Sequence, residues 1–331
     1  MVMNMQSYGI RCDNERGGED RMPNSREKFG KSPDTGSRCR LCPRECGADR
    51  ANGQAGICGV SGSGIFGARA ALHMWEEPCI SGENGSGAVF FSGCPLRCIY
   101  CQNYKIARAD IGRMISTERL ADIFLELQGK KAENINLVTP THYTPEIISA
   151  VKMAKIQGLK IPVVYNCSGY EKTETLDLLE GIVDIYLTDF KYMEPKLAKD
   201  FSRAEDYPEI AKAALEEMVR QQESPAFDER GLMKNGVIVR HLLLPGHVKN
   251  AKAVVDYVYG RYGDKVYISL MNQYTPLRKI EEYPELNRRV TKREYETLIN
   301  YAISLGVECA FIQEGSTAEA SFIPEFDYEG L

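Results

Sequence analysis

The chain has 331 residues, of which 43% are hydrophobic and 26% are charged, so it can bury a core and does not have a disordered composition. Its formal net charge of −5 gives no general attraction to phosphate backbones, which argues against a nucleic-acid binder. No apolar run approaches the roughly 20 residues that a membrane-spanning helix needs. The first residues lack the charged-then-apolar pattern of a secretory signal, so we expect a cytoplasmic protein.

Cysteine is the unusual component of the sequence. Eleven cysteines are present, and eight of them fall between residues 39 and 101. Disulfides are typical of small secreted domains, whereas this chain is long enough to build its own core. Tightly spaced cysteines in a reducing compartment favour metal or iron–sulfur ligation instead.

In chain order, the first segment is residues 1–37, which are polar and mixed in charge and which we interpret as a flexible tail. Residues 38–80 contain a Cys- and Gly-rich knuckle and a strand extension. That extension is predicted because residues 65–75 partly alternate between apolar and polar side chains. Residues 81–313 are expected to form the main domain, and residues 314–331 a C-terminal tail.

The main domain alternates strand signals with helix signals. Strands are predicted where short apolar runs occur, at residues 88–92, 135–139, 161–165, 183–188, 237–244 and 266–270. Helices are predicted after the N-cap candidates Ser116 and Thr144, and over residues 291–305. Such alternation predicts a parallel sheet with helices outside it. Because a closed eight-unit barrel usually needs about 250 residues, we predict an α/β fold with an incomplete TIM barrel of the (β/α)6 type.

The sharpest motif is a cysteine triplet, Cys94-x3-Cys98-x2-Cys101, directly after the first of these strands. Three thiolates on a short loop can hold three irons of a [4Fe–4S] cluster and leave the fourth iron open to a small chelating molecule. A zinc loop or three buried cysteines are the alternatives. Zinc normally needs a fourth nearby ligand, and no His or Cys follows at ordinary zinc spacing.

With the aromatic Tyr100 before its last cysteine, this triplet resembles the radical S-adenosylmethionine (SAM) superfamily. Other segments resemble its pyruvate formate-lyase activating enzyme-like branch, and they begin at Cys39, Trp75, Asn136, Val164 and Asp184. The resemblance implies a [4Fe–4S] cluster on the triplet and SAM on the open iron. It also implies reductive cleavage of SAM to a 5′-deoxyadenosyl radical, which abstracts a hydrogen atom from the substrate. An electron donor such as flavodoxin or ferredoxin is the partner expected on this basis.

The same resemblance implies several SAM contacts. Tyr100 corresponds to a residue beside the adenine, and Asp189-x-Lys191 matches a motif beside the methionine moiety. Arg240 belongs to a segment similar to the Arg-to-Pro-Gly strand of glycyl radical activating enzymes, and is a further candidate. An ordinary ion pair at a strand end is the alternative for Asp189 and Lys191.

Two departures from that branch affect the SAM site. The Gly-Gly-Glu segment that receives the SAM amino group is absent, and residues 139–142 occupy its place. Asn166 stands where the activating enzymes have an aspartate, so it is a cofactor-binding candidate without the carboxylate of a cation site. His142 is a candidate proton shuttle or a structural histidine. Asn272 and Gln273, which follow a strand, suit polar groups of substrate or SAM.

A second cysteine group, Cys39-x2-Cys42-x3-Cys46-x11-Cys58, defines the knuckle. Four thiolates on a Gly-rich loop can close around zinc or a second [4Fe–4S] cluster, and unligated thiols are the alternative. A closed site of this kind would be structural or would relay electrons, because it has no open iron for SAM.

The substrate is the least determined feature. We expect a protein or peptide, as for glycyl radical activating enzymes, because an incomplete barrel leaves a lateral opening and little follows Ile312 to cap a small pocket. The charged stretch from Asp206 to Arg220 is a candidate to flank this opening, or else an ordinary outer helix. A small metabolite is the alternative substrate. A non-enzymatic electron carrier would need a fourth cysteine ligand, and an RNA-modifying enzyme is disfavoured by the acidic composition.

Overall fold

The computed structural model describes residues 38–62, 64–313 and 324–331, so the tail predicted for residues 1–37 lies outside the described residues. The strands are β1 (Ile65–His73), β2 (Ser86–Phe91), β3 (Arg113–Ile115), β4 (Ile135–Val138), β5 (Val163–Cys167), β6 (Ile185–Asp189), β7 (Ala226–Phe227), β8 (Met233–Leu242), β9 (Tyr267–Met271) and β10 (Ala310–Ile312). The helices are α1 (Pro78–Ser81), α2 (Tyr104–Ala107), α3 (Thr117–Gly129), α4 (Thr144–Ile156), α5 (Thr173–Asp177), α6 (Pro195–Ser202), α7 (Tyr207–Gln221), α8 (Val248–Tyr262) and α9 (Lys292–Ser304).

The sheet is the frame of the molecule and runs in the order β10-β9-β8-β6-β5-β4-β2-β1-β3. Every pairing from β2 to β10 along this path is parallel, while β1 pairs antiparallel with β2 and β3. In the part of the chain that the structure describes, β10 and β3 end the sheet and do not meet. The predicted α/β fold with an incomplete barrel is therefore confirmed.

Local sequence explains where most elements begin and end. Strands β2, β4, β5 and β9 are buried along their whole length, as expected for parallel strands covered by helices. β5 begins two residues later than predicted, because Pro162 has no N–H to donate to a neighbouring strand. Helix α3 has the predicted cap, since the Ser116 side chain accepts a hydrogen bond from the Arg119 N–H.

Helix α4 corrects one detail of the prediction. Thr144 is the first helical residue rather than the N-cap, and it follows directly on a 3-10 turn over Thr141–Tyr143. Its hydroxyl donates to the Thr141 carbonyl at 2.9 Å instead of accepting from the helix N-terminus. Pro145 still lies in the first turn, where its missing N–H costs nothing.

The inner face of the sheet changes from apolar to polar along the strands. Ile185 and Ile238 lie in an apolar cluster together with Ile80 of α1. Because alternate strand residues share a face, Asp189 and Arg240 lie on the same inner face, nearer the carboxyl ends of their strands. The packing therefore closes the lower end of the barrel and leaves polar chemistry at the carboxyl ends.

The described C-terminal residues lie along β1. Ala70 N–H donates to the Glu329 carbonyl at 2.8 Å, and Tyr328 N–H donates to the Ala68 carbonyl at 3.1 Å. The Phe326 ring packs edge-on against Phe90, with the ring centroids 5.7 Å apart. Residues 324–331 thus cover part of the outer edge of β1. No helix among residues 38–62, 64–313 and 324–331 has both the length and the apolar character to cross a membrane.

Candidate functional site

A pocket lies at the carboxyl ends of the parallel strands. All eight residues predicted for the cluster and for SAM line it: Cys94, Cys98, Tyr100, Cys101, Asn166, Asp189, Lys191 and Arg240. They come from the loop after β2 and from the ends of β5, β6 and β8. Since parallel strands present their carboxyl ends at one edge of a sheet, residues far apart in sequence converge there.

The cysteine loop is held tightly by backbone contacts. Gly93 has a φ of 94°, and a Cβ at this position would lie 2.5 Å from Val60 and 3.1 Å from the Cys58 carbonyl. Only glycine therefore allows this close approach between the loop and the knuckle. The Cys94 N–H donates to the Cys58 carbonyl at 3.2 Å, which joins the two cysteine groups directly.

The donor set of this loop fits an iron–sulfur cluster. Burial and the neighbouring Cys98 raise the pKa of Cys94 to about 11 and that of Cys101 to about 12. As thiolates these groups therefore need a nearby cation, which the irons of a cluster would supply. As placed, no three Cys, His, Asp or Glu side chains within the described ranges form a ready ligand set, so the fit rests on three thiols of one loop that line one pocket.

Charged side chains form a network on the wall of the pocket. Lys191 Nζ lies 2.5 Å from Asp189 Oδ2, and Arg240 Nε lies 3.0 Å from Asp189 Oδ1. Burial alone would raise the pKa of Asp189, but the charges of Lys191 and Arg240 outweigh it and lower that pKa. Arg240 Nη2 also donates to Asn166 Oδ1 at 2.6 Å. Asp189 therefore stays ionised and its carboxylate is fixed in direction.

Glu76 is a member of this network that sequence reasoning missed. Its Oε2 lies 3.1 Å from Arg240 Nη1, and its Oε1 accepts from Asn136 at 3.0 Å and from Asn166 at 3.2 Å. Glu76 thus provides a second carboxylate for Arg240 and orients Asn166. The segment that begins at Trp75 resembles the activating-enzyme branch, but no spacing in the sequence indicates a role for Glu76.

Three other polar candidates differ in their placement. Gln273 lines the pocket, whereas the backbone N–H of Asn272 donates to Gln313 at 3.0 Å. His142 lies outside the pocket lining, and its Nε2 is 2.8 Å from the Ser92 carbonyl. Burial lowers the pKa of His142 to about 4, so the ring is neutral near pH 7. This placement favours the structural alternative for His142.

The knuckle brings some of its cysteine sulfurs near one another, but no three of them form a ready ligand set in the described part of the chain. A Cβ on Gly56 would lie 3.3 Å from the sulfur atoms of both Cys46 and Cys58. The two sulfur atoms therefore lie on either side of the same small space. Burial raises the pKa of Cys42 to about 12, and the proximity of Cys39 and Cys58 adds to this effect. Cys42 therefore lies within electrostatic range of both Cys39 and Cys58.

Two arginines attach the knuckle to the barrel. Arg44 Nε donates to the Pro95 carbonyl at 3.0 Å, and its guanidinium lies over the Tyr170 ring at 5.1 Å. Arg50 Nη1 donates to the His142 carbonyl at 2.7 Å. The knuckle is therefore docked beside the mouth of the pocket rather than extended into solvent.

Comparison with known families identifies the central part of the chain. Residues 88–250 match the sequence model of the Radical SAM superfamily. An uncharacterized protein of Methanocaldococcus jannaschii is 28% identical over 271 residues, which are 80% of this chain and 74% of that protein.

The chain is also similar to several solved structures. A domain of pyruvate-formate lyase-activating enzyme from Bacteroides vulgatus has a TM-score of 0.37 at 16% identity, covering 55% of this chain and 100% of that chain. Methylornithine synthase has a TM-score of 0.47 at 14% identity, covering 66% and 60%. The SuiB protein of Streptococcus suis bound to its precursor peptide SuiA has a TM-score of 0.44 at 13% identity, covering 67% and 46%.

Proposed function

We propose that this chain, whose residues 88–250 match the model of the Radical SAM superfamily, holds a [4Fe–4S] cluster on Cys94, Cys98 and Cys101 and binds SAM beside it. When bound, the cluster and SAM supply a 5′-deoxyadenosyl radical that abstracts a hydrogen atom from the substrate. One observation carries the assignment of residues: the three cysteines and all five predicted SAM contacts line the same pocket.

The protein's own groups bind and orient the cofactor. Lys191 can meet the SAM carboxylate, and the ionised Asp189 can accept from the SAM ammonium. Arg240 keeps Asp189 in place, and Glu76 in turn keeps Arg240 in place. Tyr100 forms an aromatic wall with Tyr274, with ring centroids 6.2 Å apart, which suits the adenine face. An electron donor such as flavodoxin or ferredoxin would have to reach this side of the barrel.

The test of the reaction is anaerobic reconstitution of the full chain with iron and sulfide, followed by dithionite and SAM. We expect 5′-deoxyadenosine, measured by liquid chromatography and mass spectrometry. A reconstituted protein that holds its cluster but releases no 5′-deoxyadenosine would refute the proposed reaction. A matched control is the same assay on protein reconstituted without sulfide.

For the substrate we propose a protein or peptide, as in glycyl radical activating enzymes. The open sheet supports this, since in the described part of the chain no strand joins β10 to β3. Helix α7 gives no support, because it connects β6 to β8 in the middle of the sheet and is the outer helix of that unit. Residues 324–331 lie along β1 and cover part of that edge of the sheet.

The substrate proposal is tested with deuterium-labelled candidates. Label that moves from a protein or peptide into 5′-deoxyadenosine would support it. Label that moves only from a small metabolite, with proteins and peptides inert, would overturn it and leave the proposed SAM cleavage intact.

We propose further that Cys39, Cys42, Cys46 and Cys58 hold a second metal, either zinc or a [4Fe–4S] cluster. Support comes from the proximity of the Cys46 and Cys58 sulfur atoms to the same position beside Gly56. Four cysteines are also a donor set typical of zinc and iron–sulfur sites. Glycines at the tight turns, with a φ of 62° at Gly47, let the loop close around a metal. Such a site would be structural or would relay electrons.

A further inference from the structure

A line of hydroxyl groups runs from the pocket wall to one of the cluster cysteines. The Tyr100 and Tyr192 hydroxyl oxygens lie 2.7 Å apart, and Tyr192 Oη lies 2.7 Å from Ser202 Oγ. Ser202 Oγ lies 3.0 Å from Cys98 Sγ. Tyr192 and Ser202 are fully buried, so bulk water does not compete for these hydrogen bonds. The line connects the residue predicted beside the adenine with a predicted iron ligand.

The state of Cys98 determines the direction of every hydrogen bond in this line. An iron-bound thiolate has no proton, so Ser202 must be the donor to Cys98. Each hydroxyl has one proton, and Ser202 must therefore accept from Tyr192. By the same rule Tyr192 accepts from Tyr100. Every hydroxyl in the line therefore donates toward the Cys98 sulfur.

The position of Ser202 is itself secured from the knuckle. Ser202 ends α6, and Arg203 after it has a left-handed φ of 52°. Arg44 donates from Nη2 to the Ser202 carbonyl at 2.9 Å and from Nε to the Pro95 carbonyl at 3.0 Å. A guanidinium at the C-terminal end of a helix is also favourable to the helix dipole. One side chain therefore joins the end of α6 to the cysteine loop.

We propose that Ser202 is a positioning residue for the cluster: its hydroxyl donates to the Cys98 thiolate and raises the reduction potential of the bound [4Fe–4S] cluster. This inference rests on the proposed function. Hydrogen bonds to the sulfurs are among the determinants of cluster potentials. The reduced cluster carries one more negative charge, so the hydrogen bond is stronger in that state and favours reduction.

The test is a redox titration of the anaerobically reconstituted full chain, followed by electron paramagnetic resonance. Ser202→Ala should need a more negative potential for half-reduction. At a fixed potential near the midpoint, its ratio of reduced to oxidised cluster should fall about three- to tenfold, which is the net contribution expected of one ordinary hydrogen bond. Tyr192→Phe keeps the Ser202 hydroxyl but removes its orienting donor, so it should give a smaller shift of the same sign.

Ser304→Ala is the matched control, because the Ser304 hydroxyl lies on the surface and donates only to the Tyr301 carbonyl. It should leave the midpoint unchanged. An unchanged midpoint in Ser202→Ala with full iron content would overturn the inference. If Ser202→Ala loses its iron, the midpoint potential of Tyr192→Phe tests the inference instead, and an unchanged midpoint in that variant would overturn it. A wild-type chain that binds no cluster would instead refute the proposed function itself.

Discussion

The two cysteine groups of this protein lie side by side and differ in what surrounds them. Cys94, Cys98 and Cys101 face a pocket whose other walls carry Asp189 and Lys191. The knuckle cysteines line neither of the pockets described, and Cys58 instead packs in the hydrophobic core beside Val60 and Phe91. A three-cysteine loop at strand ends is suited to an added ligand, whereas a four-cysteine loop is suited to a closed site.

The largest expected effect would separate the two groups by chemistry. Changing Cys94, Cys98 and Cys101 together to Ala should abolish SAM cleavage and remove about four irons per chain, the content of one cluster. The knuckle metal should remain, because its four ligands are intact. Elemental analysis and the 5′-deoxyadenosine assay measure both outcomes. Cys79→Ala is the control, since Cys79 is a buried free cysteine outside both groups. Residual 5′-deoxyadenosine in the triple variant would show that the assignment is wrong.

The converse variant removes the knuckle. Changing Cys39, Cys42, Cys46 and Cys58 to Ala should eliminate the second metal and lower the melting temperature by about 5 to 10 °C, because metal binding contributes folding free energy. SAM cleavage should fall but persist, since the cluster cysteines remain. The comparison fails if the wild-type protein, once well folded, contains no metal beyond that of the first cluster.

The pocket network should matter for SAM and leave the iron in place. Asp189→Asn or Lys191→Ala should weaken SAM binding about tenfold, the effect of one charge-assisted hydrogen bond, with iron content unchanged. Isothermal titration calorimetry on the reconstituted protein measures the affinity. Asp200→Asn and Lys196→Ala are matched controls, because they break an ion pair of the same type on α6, where Lys196 is 83% exposed. Equal affinities in all four variants would support the plain ion-pair alternative.

A separate effect, on stability rather than on SAM, concerns Glu171, which lies between the two regions. It accepts from Thr141 Oγ1 at 2.8 Å, and burial raises its pKa to about 8. The unfolded chain releases this proton near pH 4.5 while the folded chain keeps it, so stability should fall as the pH rises from about 4.5 to 8. Glu171→Gln should remove that fall and stabilise the protein at pH 8 by on the order of 4 kcal/mol. The free energy of unfolding is measured with urea at pH 5 and pH 8 for the wild type and for Glu171→Gln. An equal change in this free energy between the two pH values in both proteins would contradict the assignment.

The fold was largely predictable because its signals are local. Apolar runs alternate with helix starts such as Ser116, and this alternation alone predicts parallel strands covered by helices. The errors are also local in origin. Pro162 delayed β5, and the 3-10 turn before Thr144 replaced a predicted cap, because neighbouring turns compete for the same backbone groups.

The sequence by itself determined the two cysteine groups and placed Asp189 and Lys191 after a strand, because these depend on short spacings and apolar runs, while Arg240 was predicted only through a family resemblance. Only the tertiary structure decided which distant groups complete them. Glu76 reaches Arg240 across 164 positions, and Arg44 reaches Ser202 across 158. Such contacts leave no periodic pattern in the chain, since they are selected by how packed elements meet rather than by the residues adjacent to them.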